Sequence, residues 1–524
     1  MTEPAASGLP AADAGLAPRV RSGALWGAAN VAASRVLTFV STIIVARLVA
    51  PEHFGVLAIA IVVQTIALNA AELGVTASLA RGDRDPAELA PTVWTISLAN
   101  SAGLTAAMVL GAPWLAGVLG DPAAAPVIQV LALTVLLTGV SSVPTALIWR
   151  DFHQRRRILV DLANIIVSLA LVIPMAQAGW GAYALAWSRV GGQLVATAGY
   201  LIVSPTRHRP GFDRRVARDV LRMGLPLAAA NLIVFATLNI DYVVIGRTLG
   251  TVELGLYLLA FNLASLPSSV FTAIIRTVAV PTFGRLFTAG RLAPAIPLVV
   301  EGIALVSFPV CALLAALAQP LVTGVYGGPW SGAAAAMLGL AVFAAARVLA
   351  EVFADLSVGA GRTVGLFWVQ VAWCAALAPA MALAVARWGL AGAGVAHAVV
   401  AVAVVVPLYV LVLRRAVATP VSPLVRAVAP ALAGSVACGL AAAWAAGLVD
   451  SPLLAAVLGG LVGLAVHAGL TAPCWSTLPR RARAAGQVDV PQPISSEPAR
   501  RDSPARTTRG PDASPGSNVE EVVA

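Results

Sequence analysis

Lysine is absent from this chain of 524 residues, and all 34 of its basic residues are arginine. Charge of either sign is scarce, at 11% of residues against the ~25% of a soluble globule, so an ordinary water-soluble domain is excluded. Cysteine is rare as well. Cys311, Cys374, Cys438 and Cys474 lie in or against apolar runs without ligand spacing, which argues against a disulfide framework or a zinc site and reads them as small packing residues. The net charge of +10 does not point to nucleic acid, because the arginines sit beside apolar runs, where they set membrane orientation and meet anionic head groups.

What is present is hydrophobic length: 59% of residues are hydrophobic and the mean hydropathy is +0.87. A helix needs ~20 apolar residues to cross a hydrocarbon core. About fourteen runs meet that length, at 23–49, 53–77, 91–118, 127–149, 158–178, 181–204, 222–246, 253–277, 295–318, 335–358, 363–386, 390–413, 424–447 and 452–472. The fold class expected is therefore an all-α polytopic membrane protein. The first run is too long for a signal-peptide core and is expected to stay as a span. Arginine falls into every second gap: 23 flank one side near the spans, whereas Arg47, Arg247 and Arg387 flank the other. By the positive-inside rule both termini are expected in the cytoplasm. The opposite gaps are short, such as Gly120-Asp121-Pro122 and Gly179-Trp180-Gly181, which leaves no room for an outer domain.

An internal repeat divides the chain. Ala46-Arg47-Leu48-Val49, followed by Gly55, returns as Gly246-Arg247-Thr248-Leu249, followed by Gly255, at a spacing of 200, and Gly179-Trp180-Gly181 returns more weakly as Arg387-Trp388-Gly389 at 208. Six spans separate the copies, so the halves share one orientation, as in parallel-repeat transporters. The expected organisation is an N-tail at 1–20, an N-lobe at 21–204, a linker at 205–221, a C-lobe at 222–413, two further spans at 414–475 and a disordered tail at 476–524. In the linker Phe212, Val216, Val220 and Leu221 alternate with arginines, which suits either a helix in the head-group layer or a solvated basic connection.

Polar residues recur inside the spans at helical spacing. Arg35 shares a face with Thr38 and Thr42; Thr65, Asn69, Glu72 and Thr76 form a second stripe; Asn262, Ser265, Ser269, Thr272 and Arg276 form a third; Asn231, Thr237 and Asp241 add a fourth. These faces are expected to look into one central cavity between the halves, although hydroxyl and amide groups also join helices by hydrogen bonds. Arg347, Glu351 and Asp355 stand at steps of four, as a structural ion pair or a proton-coupling ladder. Asp161 and Glu301 lie near span ends, where snorkelling is cheap, and His397 reads as an isolated core residue. No metal site is expected.

Gly23-Ala24-Leu25-Trp26, the run from Ala46 to Gly55 and the run Asp241-Tyr242-Val243-Val244-Ile245-Gly246-Arg247 resemble the Wzx-type polysaccharide exporters of the multidrug/oligosaccharidyl-lipid/polysaccharide (MOP) flippase superfamily, over residues 20 to 475. The resemblance implies a MATE-like fold of two six-helix lobes plus two C-terminal helices, alternating access and an undecaprenyl-pyrophosphate-linked oligosaccharide as cargo in a bacterial plasma membrane. It implies that Arg35 and Arg276 serve the pyrophosphate, that no cofactor is needed beyond a coupling ion, H+ or Na+, and that a polysaccharide polymerase or ligase is a candidate partner. The alternatives are a multidrug exporter or lipid II flippase of the same fold. A membrane enzyme fits less well, since Asp121 and Asp450 stand singly in tight turns.

Overall fold

The computed structural model describes residues 37–72, 86–150, 153–204, 209–222, 224, 239–268, 292–359, 363–417 and 420–487. Among them there is no strand. The N-terminal half comprises α1 (Leu37–Leu48), α2 (Pro51–Ala71), α3 (Pro86–Leu119), α4 (Ala125–Arg150), α5 (Gln154–Gln177), α6 (Ala182–Val203) and the short α7 (214–222). The second half continues with α8 (Ile240–Thr248), α9 (251–268), α10 (Leu292–Ala316), α11 (Ala318–Val325), α12 (Ala334–Gly359), α13 (Thr363–Val400), α14 (Val406–Val417), α15 (Val421–Ala446) and α16 (Pro452–Gln487). Helix is the form expected, because a segment in hydrocarbon must satisfy its backbone polar groups internally.

Nine helical stretches among the described residues are long and apolar enough to cross a membrane, and one of them, Val364–Arg415, bends at Gly389 and holds two of the predicted runs. Helix is found in each of the fourteen runs; runs 1, 2, 7 and 8 continue outside the described residues, and so does the count of fourteen. Exposed tryptophans mark both ends of the bundle, with Trp114, Trp180, Trp388 and Trp444 towards one and Trp149, Trp368 and Trp475 towards the other, the distribution of an interfacial aromatic belt. The chain is a multi-pass membrane protein.

Helices α2 to α6 pack on one another, and α8, α10, α12, α13 and α14 form a second packed group. The repeat is visible in the backbone: Gly181 (φ 52°, ψ −124°) and Gly389 (φ 55°, ψ −136°) adopt nearly the same left-handed conformation, which only glycine enters without steric cost.

The linker forms a helix. Asp213 accepts hydrogen bonds from the Arg215 and Val216 amides at 2.7 and 3.4 Å, an N-cap. Val216 and Val220 are buried against Leu89, Ala90, Val93 and Leu147, while Phe212 and Leu221 face outward.

Helices α15 and α16 pack against α10. The expectation of a tail from residue 476 is corrected here, because α16 runs to Gln487 despite Pro473 and Pro479. Its extension is held by Arg481, whose guanidinium meets both carboxylate oxygens of buried Glu301 at 3.0 and 2.7 Å. Glu301 is thus paired rather than snorkelling to water. A chain ending at residue 476 would leave that carboxylate buried without its partner, at a cost of ~2 kcal/mol given the half-exposed arginine. It should melt measurably lower in detergent than a chain ending at Gln487; equal melting points would show that the pair contributes nothing.

Candidate functional site: a polar cavity beneath a closed seam

A cavity of about 490 Å³ lies inside the first half, lined from five helices. Helix α1 contributes Thr38, Ser41 and Thr42, α2 Gln64 and Thr65, α4 Thr134 and Thr138, α5 Asn164 and Ser168, and α6 Ser188, Arg189 and Gln193. Its wall is a hydrogen-bonded polar surface. Gln64 Nε2 donates to Thr134 Oγ1 at 2.5 Å, Gln193 Nε2 to Thr138 Oγ1 at 3.4 Å and Ser168 Oγ to Asn164 Oδ1 at 3.3 Å. No carboxylate stands among the described lining residues, and the cation is Arg189.

A second cavity, about 390 Å³, separates the halves on the other side of α1. Phe39 faces Leu263, Leu266 and Pro267 of α9, Val310 and Leu314 of α10, and Leu321 and Val325 of α11. Thr38 and Phe39 are chain neighbours, so α1 is a partition with hydroxyls on one side and an aromatic ring on the other.

The end of the bundle carrying the α1–α2 turn is shut. There Gly55 packs directly on the Thr251 carbonyl and Gly255 on the Pro51 carbonyl, so the two glycines matched by the repeat cross each other without side chains. Gly120, after α3, packs on the Gly246 carbonyl. At the related edge Arg47 donates through Nε to the Val325 carbonyl at 2.8 Å and through Nη2 to that of Gly324 at 2.5 Å. These are orphan carbonyls at the C-terminus of α11, where a guanidinium is favoured. Trp330 Nε1 donates to the Ala46 carbonyl at 2.7 Å, and its ring meets Phe54 edge-on at 4.9 Å.

A buried polar group lies in the second half. Tyr257 Oη donates to Asp241 Oδ2 at 2.6 Å and stands 3.0 Å from His397 Nε2, while His397 Nε2 lies 3.6 Å from Asp241 Oδ2. Because the tyrosine proton goes to the carboxylate, His397 must donate through Nε2, which leaves Nδ1 as a buried lone pair with no partner among the described residues. The rings of Phe261 and Phe343 enclose it. A π-helical turn, Ala401–Val405, follows His397 by one helical turn, a distortion frequent at functional sites.

The family model for polysaccharide biosynthesis proteins matches residues 44–335, more than half of the chain. The chain belongs to this polysaccharide biosynthesis family. Among its relatives, the succinoglycan biosynthesis transport protein ExoT of Rhizobium meliloti is 25% identical over 344 residues, 66% of this chain and 70% of that one. The lipopolysaccharide biosynthesis protein WzxC of Escherichia coli is 23% identical over 325 residues, 59% of this chain and 64% of that one. In fold the chain is similar to the lipid II flippase MurJ, with a TM-score of 0.69 at 12% identity over 87% of this chain and all of that one. A MATE multidrug transporter of the MOP superfamily gives 0.60 at 16% identity over 74% of this chain and 95% of that one. The MATE-like fold is thereby shown.

Within this polysaccharide biosynthesis family member, the predicted site residues scatter. Arg35 and Arg276 lie outside the described residues, as do Asn231 and Thr237; Thr38 and Thr42, on the predicted face of Arg35, do line the cavity. Asn69 turns back to donate to the Thr65 carbonyl at 2.7 Å. Glu72 caps the exposed end of α2, and Asn262 is exposed on α9. Asp241, expected in the cavity, is corrected to the buried group with Tyr257; it is 1% exposed, because a tyrosine and a histidine from other spans satisfy it. His397 is likewise not isolated. Arg347 pairs with Glu351 at 3.0 Å and lies beside Ser265 and Ser268, while Asp355 is buried one turn on. Asp161 pairs with Arg157 at 3.4 Å and accepts from Tyr200 Oη at 2.5 Å. Sequence reasoning singled out neither Gln64 and Gln193 nor the site role of Arg189; the four-residue step from Arg189 to Gln193 was the one signal available.

Proposed function

We propose that the chain carries a lipid-linked oligosaccharide from the inner to the outer face of a bacterial plasma membrane by alternating access, with both termini in the cytoplasm. The observation that carries this reading is the partition by α1, with a hydroxyl- and amide-lined cavity for sugars on one side and an apolar crevice between the halves for a prenyl chain on the other. The relatives named for succinoglycan transport and lipopolysaccharide biosynthesis support it, and the arginine asymmetry supports the orientation. Arg35 and Arg276 would hold the pyrophosphate through paired, charge-assisted hydrogen bonds. No covalent step is needed, and the cavity's lack of a described carboxylate favours such cargo over a cationic drug.

Movement against a gradient calls for a coupling ion. His397 Nδ1 is a buried site where a proton would create an imidazolium beside Asp241, joining α8, α9 and α13 more tightly, so H+ is the coupling ion this reading favours. Deleting the gene from its host should remove one surface glycan and leave its lipid-linked precursor at the inner leaflet, restored by the gene in trans. Unchanged surface glycan and precursor pools would reject the reading.

A further inference from the structure

Of the arginines that the described spans place within the bundle, Arg347 has a carboxylate one turn away and Arg189 has none. Four residues on from Arg189 is Gln193 and four before it is Leu185, and no described acidic residue shares its cavity. The side chain borders the cavity from the first half of α6, one turn from Gln193 on the same lining. An arginine inside a membrane bundle costs ~2.5–3.5 kcal/mol on insertion scales unless water or a partner compensates it. The described surroundings supply a polar wall and no counter-charge, which suits the guanidinium to taking an anion.

The composition of that wall narrows the anion. Asn164, Ser168, Thr134, Thr138, Gln64 and Gln193 present amides and hydroxyls from α2, α4, α5 and α6, groups that match sugar hydroxyls one by one. Under this reading the prenyl tail occupies the apolar crevice on the Phe39 side of α1, and the phosphates joined to it belong with Arg35, two residues before α1 in the sequence. Arg189 lies on the other side of that partition. Gly192, one residue short of the Gln193 step, lets α6 approach Asn164 and Ser168 so closely that a Cβ there would overlap both side chains; this fixes the arginine's helix against the polar face of α5.

We propose that Arg189 is the oxyanion-binding residue of a glycan subsite, holding the carboxylate of an acidic sugar in the transported head group, a subsite distinct from the place of the lipid phosphates. The inference rests on the flippase reading for the identity of the cargo, but its test does not. The guanidinium takes a carboxylate through two parallel N–H donors, which a lysine would not reproduce.

The full-length protein in lipid nanodiscs is titrated with trigalacturonate, with cellotriose as the neutral trisaccharide and with inorganic pyrophosphate. Trigalacturonate should bind, Arg189→Ala should weaken it at least tenfold, and Arg189→Lys should recover part of the loss. Cellotriose should bind far more weakly than trigalacturonate and equally to all three proteins, and pyrophosphate binding should not change with Arg189. Without ligand, Arg189→Ala should melt no lower than the parent, since it removes an uncompensated cation; a structural role would lower it. Unchanged trigalacturonate affinity in Arg189→Ala, no trigalacturonate binding by the parent, or pyrophosphate as the ligand that depends on Arg189 would each overturn the proposal. If Arg189-dependent binding holds while gene deletion leaves the surface glycan intact, the flippase reading fails and the subsite stands; the reverse pattern sinks the subsite alone.

Discussion

Gly55→Val will abolish glycan export while leaving the protein in the membrane. A Cβ at residue 55 overlaps the Thr251 carbonyl oxygen, its carbon and its Cα together, and backbone cannot turn aside as a side-chain tip can. The halves would then fail to meet at the turn end, and a transporter that cannot close one face cannot alternate. Gly255→Val should have the same effect through the Pro51 carbonyl. Gly103→Val is the matched control, because a Cβ there meets nothing within 4 Å. We expect surface glycan to fall more than tenfold in the first two variants and to stay near the parent level in the third, at equal membrane abundance. Full export by Gly55→Val would mean that the seam need not close this tightly.

The second large effect concerns the buried group of the second half. Tyr257→Phe removes the hydroxyl that donates to Asp241 and accepts from His397, leaving both without their shared partner. A hydrogen bond to a charged group contributes ~1.5–3 kcal/mol, so the melting temperature in detergent should drop clearly. Replacing Asp241 and His397 together, as Asp241→Leu with His397→Phe in the Tyr257→Phe background, removes every polar group at once and should regain much of the stability, since an apolar set of similar volume often matches a buried polar one. Export should not return with it if the group carries the coupling proton. A triple variant that is both stable and active would reduce the group to packing.

The contrast between these sites shows what periodicity can carry. The spans and the Arg347–Glu351 pair were legible because each depends on residues a few positions apart along one helix, whereas the linker's periodicity left a helix and a solvated connection both open until Asp213 was seen to cap it. The crossing of Gly55 and Gly255 was half legible: the repeat identified both glycines, and their direct contact came only with the structure. Asp241, Tyr257 and His397 were not, because they meet from three spans, with His397 140 residues from Tyr257. Arg189 was passed over as a site for the same reason, its neighbours coming from four other helices. The extension of α16 was not legible, because the ion pair that holds it joins residues 180 apart.

The two related edges of the closed seam are fastened by different means. At one, Gly120 lies bare against the Gly246 backbone; at the other, Arg47 reaches the last carbonyls of α11 along a flexible side chain. Dispersion between packed backbones fades within about an ångström of separation, whereas a long side chain can follow its acceptors as they recede. Equal displacement would therefore release the glycine edge at once and leave the arginine edge tethered, so that the two helical groups would part as a door does, swinging on the side that still holds.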